Sequence, residues 1–196
     1  MRQNPVEPIS LRKKTKIINA LDILIMILIL YLAVINIYRG YTIIGASMEP
    51  TYQQDDVILV NHYPFGYQKG DVVILQKEGY QDIYIKRIIA VEDEIFKFEK
   101  TDEIDNGPHI VKMFFYKNGE WTEYNDGFVM RATHSFGAFI QFGQEYTVSK
   151  GCFFVMGDNR DNSKDSRAFG FVTRQEIKGK VILEITDNGF LKRVFA

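Results

Sequence analysis

Cysteine is nearly absent from this chain: Cys152 is the only one in 196 residues. An intrachain disulfide or a thiolate metal cluster is therefore excluded, and stability must come from burial. Histidine is almost as scarce. His62, His109 and His134 are scattered, show neither a His-x-x-x-His pair nor a histidine–carboxylate spacing, and read as surface or loop residues. No charge of one sign dominates, with 24 basic against 25 acidic side chains, so the electrostatic footprint of a nucleic-acid binder is missing. Missing too are a glycine-rich strand-to-helix loop for a nucleotide, internal repeats and low-complexity tracts. At 46% hydrophobic residues, the chain is too apolar to be disordered.

What is present is unevenly distributed. Residues 1–40 hold six basic and two acidic side chains, while the remaining 156 hold 18 and 23. From Ile17 to Ile37 only Asn19, Asp22 and Asn36 are clearly polar, and Ile23–Ile35 is apolar apart from the hydroxyl of Tyr31. As a helix rising ~1.5 Å per residue, this run matches the ~30 Å hydrocarbon thickness of a bilayer. Arg12, Lys13, Lys14 and Lys16 precede it and only Arg39 follows closely, which keeps the N-terminus cytoplasmic and puts the rest outside. A cleavable signal peptide and a buried core helix are the competing readings, but the run is long for either and ends in no small-x-small cleavage site. The expected organisation is a basic cytoplasmic segment over 1–16, a transmembrane helix over 17–38 and an extracytoplasmic domain over 39–196.

That domain should be mostly β. Beyond Gly40 no helical period is sustained, whereas short β-rich runs recur between turn signals. Val57–Val60 leads into a turn at Tyr63-Pro64-Phe65-Gly66, and Asp71–Leu75 follows Lys69-Gly70. Tyr84–Val91, Met113–Tyr116, Tyr146–Val148, Cys152–Met156 and Val181–Ile185 are further candidates. The stretch at about 92–150 mixes charge clusters, Asn-Gly pairs and aromatics, and reads as a divergent insertion.

Three segments carry candidate chemistry. Gly45-Ala46-Ser47-Met48-Glu49-Pro50-Thr51 lies about ten residues after the apolar run, and its Gly and Pro set Ser47 at an exposed bend. A turn serine is the plain reading; a nucleophile is the sharper one. In Tyr84-Ile85-Lys86-Arg87-Ile88-Ile89-Ala90-Val91, period two places Tyr84, Lys86, Ile88 and Ala90 on one face. A lysine among such neighbours either snorkels to water or is desolvated toward a neutral base. The third segment, Gly157 to Gly170, sets many hydrogen-bonding side chains beside the apolar run 152–156. It is either a solvated loop or a buried polar network in which Asp165 and Arg167 pair.

Ser47-Met48-Glu49-Pro50-Thr51, then Tyr84-Ile85-Lys86-Arg87, then Gly157-Asp158-Asn159-Arg160 through Ser163-x-Asp165-Ser166-Arg167 resemble, in order and spacing, the boxes of bacterial type I signal peptidases. The likeness covers about 40–91 and 151–180, and the single anchor is similar to Gram-positive members. It implies the signal-peptidase-like β fold shared with self-cleaving Ser/Lys repressors. It implies a membrane-bound serine endopeptidase that removes signal peptides from exported preproteins, cutting after small residues at −1 and −3. By matching position, Ser47 is the implied nucleophile and Lys86 the general base; Ser163 orients the Lys86 amine, and Asp165 with Arg167 supports the site. Met48 and Tyr84 are implied at the pocket for the residue before the cut, with Ile43 and Ile44 bordering its neighbour. The Ser47 N–H is the implied oxyanion donor; Gly45 stands where Gram-negative members have a serine, so a second donor is unassigned. The implied partners are secretory preproteins, membrane lipid and the secretion translocon, with no cofactor and no nucleic acid.

Two departures stand out. Ala90-Val91-Glu92-Asp93-Glu94 replaces the Gly-Asp pair usual after the lysine box, and the following region matches little. A relative dedicated to pilus or surface-structure assembly, catalytic or not, is the alternative; retention of both Ser47 and Lys86 argues for catalysis. A repressor would need a DNA-binding domain where this chain has an apolar run, and a tethered β adhesion module would leave the third box unexplained.

Overall fold

The structure is a computed structural model that describes residues 11–133, 136–185 and 191–193. His134 lies outside the described residues. The chain divides into two units, Met1–Tyr38 and Arg39–Ala196. The first contains α1 (Leu11–Ile37), whose part Asn19–Ile37 has a mean hydropathy of 2.6 and is long and apolar enough to cross a membrane. Its exposed side chains through the middle are Leu, Ile, Met and Val with the single Tyr31, the pattern of a helix meant for an apolar solvent.

Among the described residues, the second unit is β with one short helix. Its strands are β1 (Tyr38–Thr42), β2 (Val57–Asn61), β3 (Val72–Leu75), β4 (Tyr84–Ala90), β5 (Ile95–Ile104), β6 (His109–Lys117), β7 (Glu120–Tyr124), β8 (Glu145–Thr147) and β9 (Cys152–Met156). After α2 (Ser166–Phe169) come β10 (Val172–Thr173), β11 (Ile177–Ile185) and β12 (Leu191–Arg193). One sheet runs β1-β2-β11-β3-β4-β9-β10, with β12 paired to β11; the other runs β7-β6-β5-β8.

The central strands β3 and β9 of the first sheet are buried on both faces. In β3 all four residues of Val-Val-Ile-Leu are buried: Val73 and Leu75 pack with Ile88, Val155 and Ile177 on one side, Val72 and Ile74 with Ile43, Met48, Tyr52 and Ile58 on the other. That two-sided burial is why its central strands read as continuous apolar runs rather than alternating ones. At roughly 25 cal/mol per Å² of apolar area removed from water, such strands supply much of the driving force for folding.

The second sheet is built from the region that reads in sequence as a divergent insertion. β4 and β9 are hydrogen-bonded neighbours, Arg87 opposite Met156 and Ile88 opposite Val155, and the chain between them leaves the sheet, builds β5–β8 and returns. Phe96 and Phe98 of β5, with Val111, Met113 and Phe115 of β6, face inward onto Ile89, Phe154 and Met156, while Lys97, Glu99 and Lys112 face out. Charged residues at every second position on one face are what a half-buried antiparallel strand requires.

Candidate active site

The turn after β1 places Ser47. Gly45 takes a positive φ of 89°, the Glu49 N–H donates to the Ala46 carbonyl, and the Tyr52 N–H donates to the Met48 carbonyl. Met48 and Tyr52 are wholly buried beneath the turn, which leaves the half-buried Ser47 at its rim. β4 supplies Lys86, 2% exposed, between Val73 of β3 across the ladder and the third segment. Its Nζ donates to Ser47 Oγ at 2.7 Å and to the carbonyl of its own neighbour Ile85 at 2.7 Å. Residues 39 positions apart in sequence thus meet at hydrogen-bond distance.

The electrostatics around this amine decide what it can do. Burial pushes the Lys86 pKa down from 10.5 to about 8; Asp165 opposes the shift, and Arg167 adds to it. The next residue in the strand, Arg87, meets the opposite fate. Its Nε and Nη2 grip both oxygens of Asp158 at 2.8 and 2.6 Å, and its Nη1 donates to the Gly70 carbonyl at 2.8 Å. Thr51 Oγ1 donates to the same carboxylate at 2.6 Å. Two adjacent cations thus differ: Arg87 has a bidentate counter-ion, and Lys86 has a hydroxyl and a carbonyl.

The third segment is a buried network, not a solvated loop. Asp165 is 0% exposed and caps α2; it accepts from the Gly157 and Arg167 N–H groups and from Arg167 Nε and Nη2 at 2.9 and 2.8 Å. Burial alone would raise its carboxyl pKa, but the Arg167 guanidinium outweighs that and holds it below the usual range. Arg167 Nη1 closes the ring on the Arg160 carbonyl at 2.6 Å. Gly157 sits where any side chain would collide, since a Cβ there would lie 2.3 Å from both Ser163 Oγ and the Ser47 carbonyl oxygen.

Two residues named by resemblance, Ser163 and Met48, make other contacts in the structure. Ser163 is buried, yet its hydroxyl does not bond the Lys86 amine, whose bonds go to Ser47 and Ile85; it faces Asp165 without a well-formed hydrogen bond. Met48 does not line the pocket either. Its side chain is fully buried in the cluster with Tyr52 and Ile58, because the turn hides it below Ser47.

A pocket of about 740 Å³ opens beside the pair, with Ser47 and Lys86 in its lining. Ile43, Ile44 and Tyr84 line it, together with Ile58, Ile74 and Ile85 from strands β2, β3 and β4. Also missed was Asn159, whose N–H donates to the Ser47 carbonyl at 3.1 Å and whose Nδ2 donates to the Ala46 carbonyl at 3.0 Å. Only its place between Asp158 and Arg160 in a polar run hinted at it. Among the described residues, no group of three or more His, Cys, Asp or Glu is arranged to hold a metal ion.

A serine and a buried lysine lie within 2.7 Å of each other in the lining of a largely apolar pocket, the pairing that a hydroxyl nucleophile and an amine base would need. Residues 16–186 match the family model described as signal peptidase, peptidase S26. The chain belongs to that family. Among its relatives, signal peptidase I P of Bacillus subtilis subsp. natto is 30% identical over 173 residues, spanning 86% of this chain and 88% of that protein. Signal peptidase IB of Staphylococcus aureus is 30% identical over 169 residues, spanning 82% and 84%. A crystal structure of a signal peptidase I from Enterococcus faecalis is 21% identical, covers 59% of this chain and 96% of that one, and superposes with a TM-score of 0.35. The apolar N-terminal helix fits a membrane-anchored member of the peptidase S26 family.

Proposed function

We propose that this peptidase S26 member removes N-terminal signal peptides from exported preproteins as a membrane-anchored serine endopeptidase, cutting after small residues at −1 and −3. The observation that carries the reading is the 2.7 Å contact between Lys86 Nζ and Ser47 Oγ in a site where the amine is 2% exposed. A serine hydroxyl attacks an amide carbonyl only as its proton leaves, and an amine whose pKa has fallen to about 8 is neutral in a substantial fraction near that pH. Ser47 acts as the nucleophile, Lys86 takes its proton, and the resulting ammonium returns a proton to the departing peptide nitrogen. Water then resolves the acyl-enzyme. The Ser47 N–H is the donor offered to the developing oxyanion.

Asp165 and Arg167 hold the floor of the site rigid, and the apolar lining by Ile43, Ile44 and Tyr84 suits small side chains before the cut. Basic residues before the helix set the N-terminus in the cytoplasm and the β unit outside, where secretory preproteins emerge from the translocon beside membrane lipid. The test is incubation of the detergent-solubilised full chain with a preprotein bearing a small-x-small site, read by mass spectrometry. A single cut after that site in the wild type, and none with Ser47→Ala, is the expected result; an intact preprotein with the folded wild type would refute the reading.

A further inference from the structure

The loop that carries Asn159 is itself gripped from outside the three boxes. Arg160, whose side chain is 2% exposed, aims its Nε at the Gly157 carbonyl (2.9 Å) and its Nη1 and Nη2 at the two oxygens of Asp126 (3.2 and 2.6 Å), with its guanidinium 5.0 Å from the Phe128 ring centre. One residue on, Asp161 accepts from the Arg131 N–H at 3.0 Å and from Arg131 Nη1 at 2.5 Å, and Arg131 also binds Asp105. Asp126 and Arg131 lie on the segment that follows β7. That segment is fastened to β6 by bonds from the Val111 N–H to the Met130 carbonyl and from the Ala132 N–H to the His109 carbonyl, each 2.8 Å. Met130 anchors the segment in the core of the second sheet, while its neighbour Val129 is 53% exposed and a cavity of about 360 Å³ lies between the segment and β6–β7.

We infer that residues 125–132 form a brace for the nucleophile turn, in which Asp126 and Arg131 are positioning residues that keep Ser47 in register with Lys86. The connection is short. Asn159 holds the carbonyls of Ala46 and Ser47, and the next two residues in the chain are the ones held by the brace. A buried guanidinium needs its counter-ion, so the Asp126 carboxylate fixes where Arg160, and with it Asn159, can stand. The second sheet thereby acquires a task in the reaction without touching substrate. The inference rests on the proposed peptidase reaction, in which a misplacement of about 1 Å can cost about 10²-fold.

The experiment compares the full chain in detergent with Asp126→Asn/Arg131→Gln and with Asp126→Glu, by preprotein cleavage kinetics and by hydrogen–deuterium exchange. The double variant should lose about tenfold or more in kcat with KM within about twofold, and Asp126→Glu should retain most of kcat. Exchange should quicken at 44–52 and 157–163 while β3 and β4 keep their protection. An unchanged kcat, equal losses in Asp126→Glu and the double variant, or exchange rising evenly over both sheets would overturn the brace. Failure of the wild type to cut any preprotein would refute the reaction instead, and the exchange pattern would still judge the brace.

Discussion

In the first sheet β3 has no exposed residue and β9 buries four of its five, whereas in the second sheet β5 and β6 bury alternate residues and turn their charges outward. The consequences for polar groups are opposite. Lys112 and Glu123 meet at 3.1 Å on the outer face of the second sheet, a third or more exposed, and water would serve either about as well. Lys86, Asp158, Asp165 and Arg167 stand in or against the first sheet with no such recourse, so each must be matched by a partner or discharged. Ionisable groups are concentrated where the fold leaves them little solvent, and Lys86 is the one whose positive charge burial disfavours most.

The sharpest way to break that contrast is at Lys86. Lys86→Arg should lower cleavage by at least about a thousandfold, because a guanidinium does not give up its proton at working pH; this is read as kcat/KM on a preprotein, with circular dichroism confirming the fold. Next in size is Asp165→Asn, which leaves the Arg167 guanidinium buried beside a neutral amide and should cost about 3–5 kcal/mol in denaturant unfolding, with activity falling alongside.

Lys86 also carries a pH signature. Its folded pKa, about 8, lies below the unfolded value of 10.5, so the unfolded chain binds more protons between those two values and stability rises with pH across that window. Below pH 8 both states are protonated and the burial penalty stands in full, on the order of 3 kcal/mol. Lys86→Met should therefore be more stable than wild type at pH 7, the gap closing as the pH approaches 10.5; urea titrations at several pH values would reveal it. Wild-type cleavage should rise with pH through about 8 and then level off, and a flat profile would point to another base. The smallest effect belongs to the second sheet: Lys112→Ala should shift stability by no more than about 1 kcal/mol and leave kcat unchanged, as a thermal melt and a rate assay would show.

The same contrast governs what could be read from the residues alone. The anchor helix and strands β2, β3, β4 and β9 were legible because each is an apolar run bounded by turn residues. β5 was not: Lys97, Glu99, Lys100, Asp102 and Glu103 look like a charge cluster, although Phe96 and Phe98 on either side of Lys97 are fully buried. β7 is short and amphipathic, and the four residues of α2 are too few for a period to declare itself. At the site, local motifs carried Ser47, Lys86 and the Asp165–Arg167 pair, which lie within or between recognisable boxes. The Arg87–Asp158 and Arg160–Asp126 pairs join residues 71 and 34 apart, and nothing in a linear pattern announces them. Ser163 shows the limit from the other side: its place in a motif does not say which atom its hydroxyl meets.

Gly157 draws one last consequence from this arrangement. Its backbone is not in the left-handed region, so nothing about chain flexibility demands glycine there; the obstacle is the lack of any vacant volume between the Ser47 turn and Ser163. Even alanine would wedge the serine turn away from the segment beneath it. In a saturation library selected for secretion, this position should return its original residue alone, a signature of crowding at a place where a coil would ordinarily tolerate almost anything.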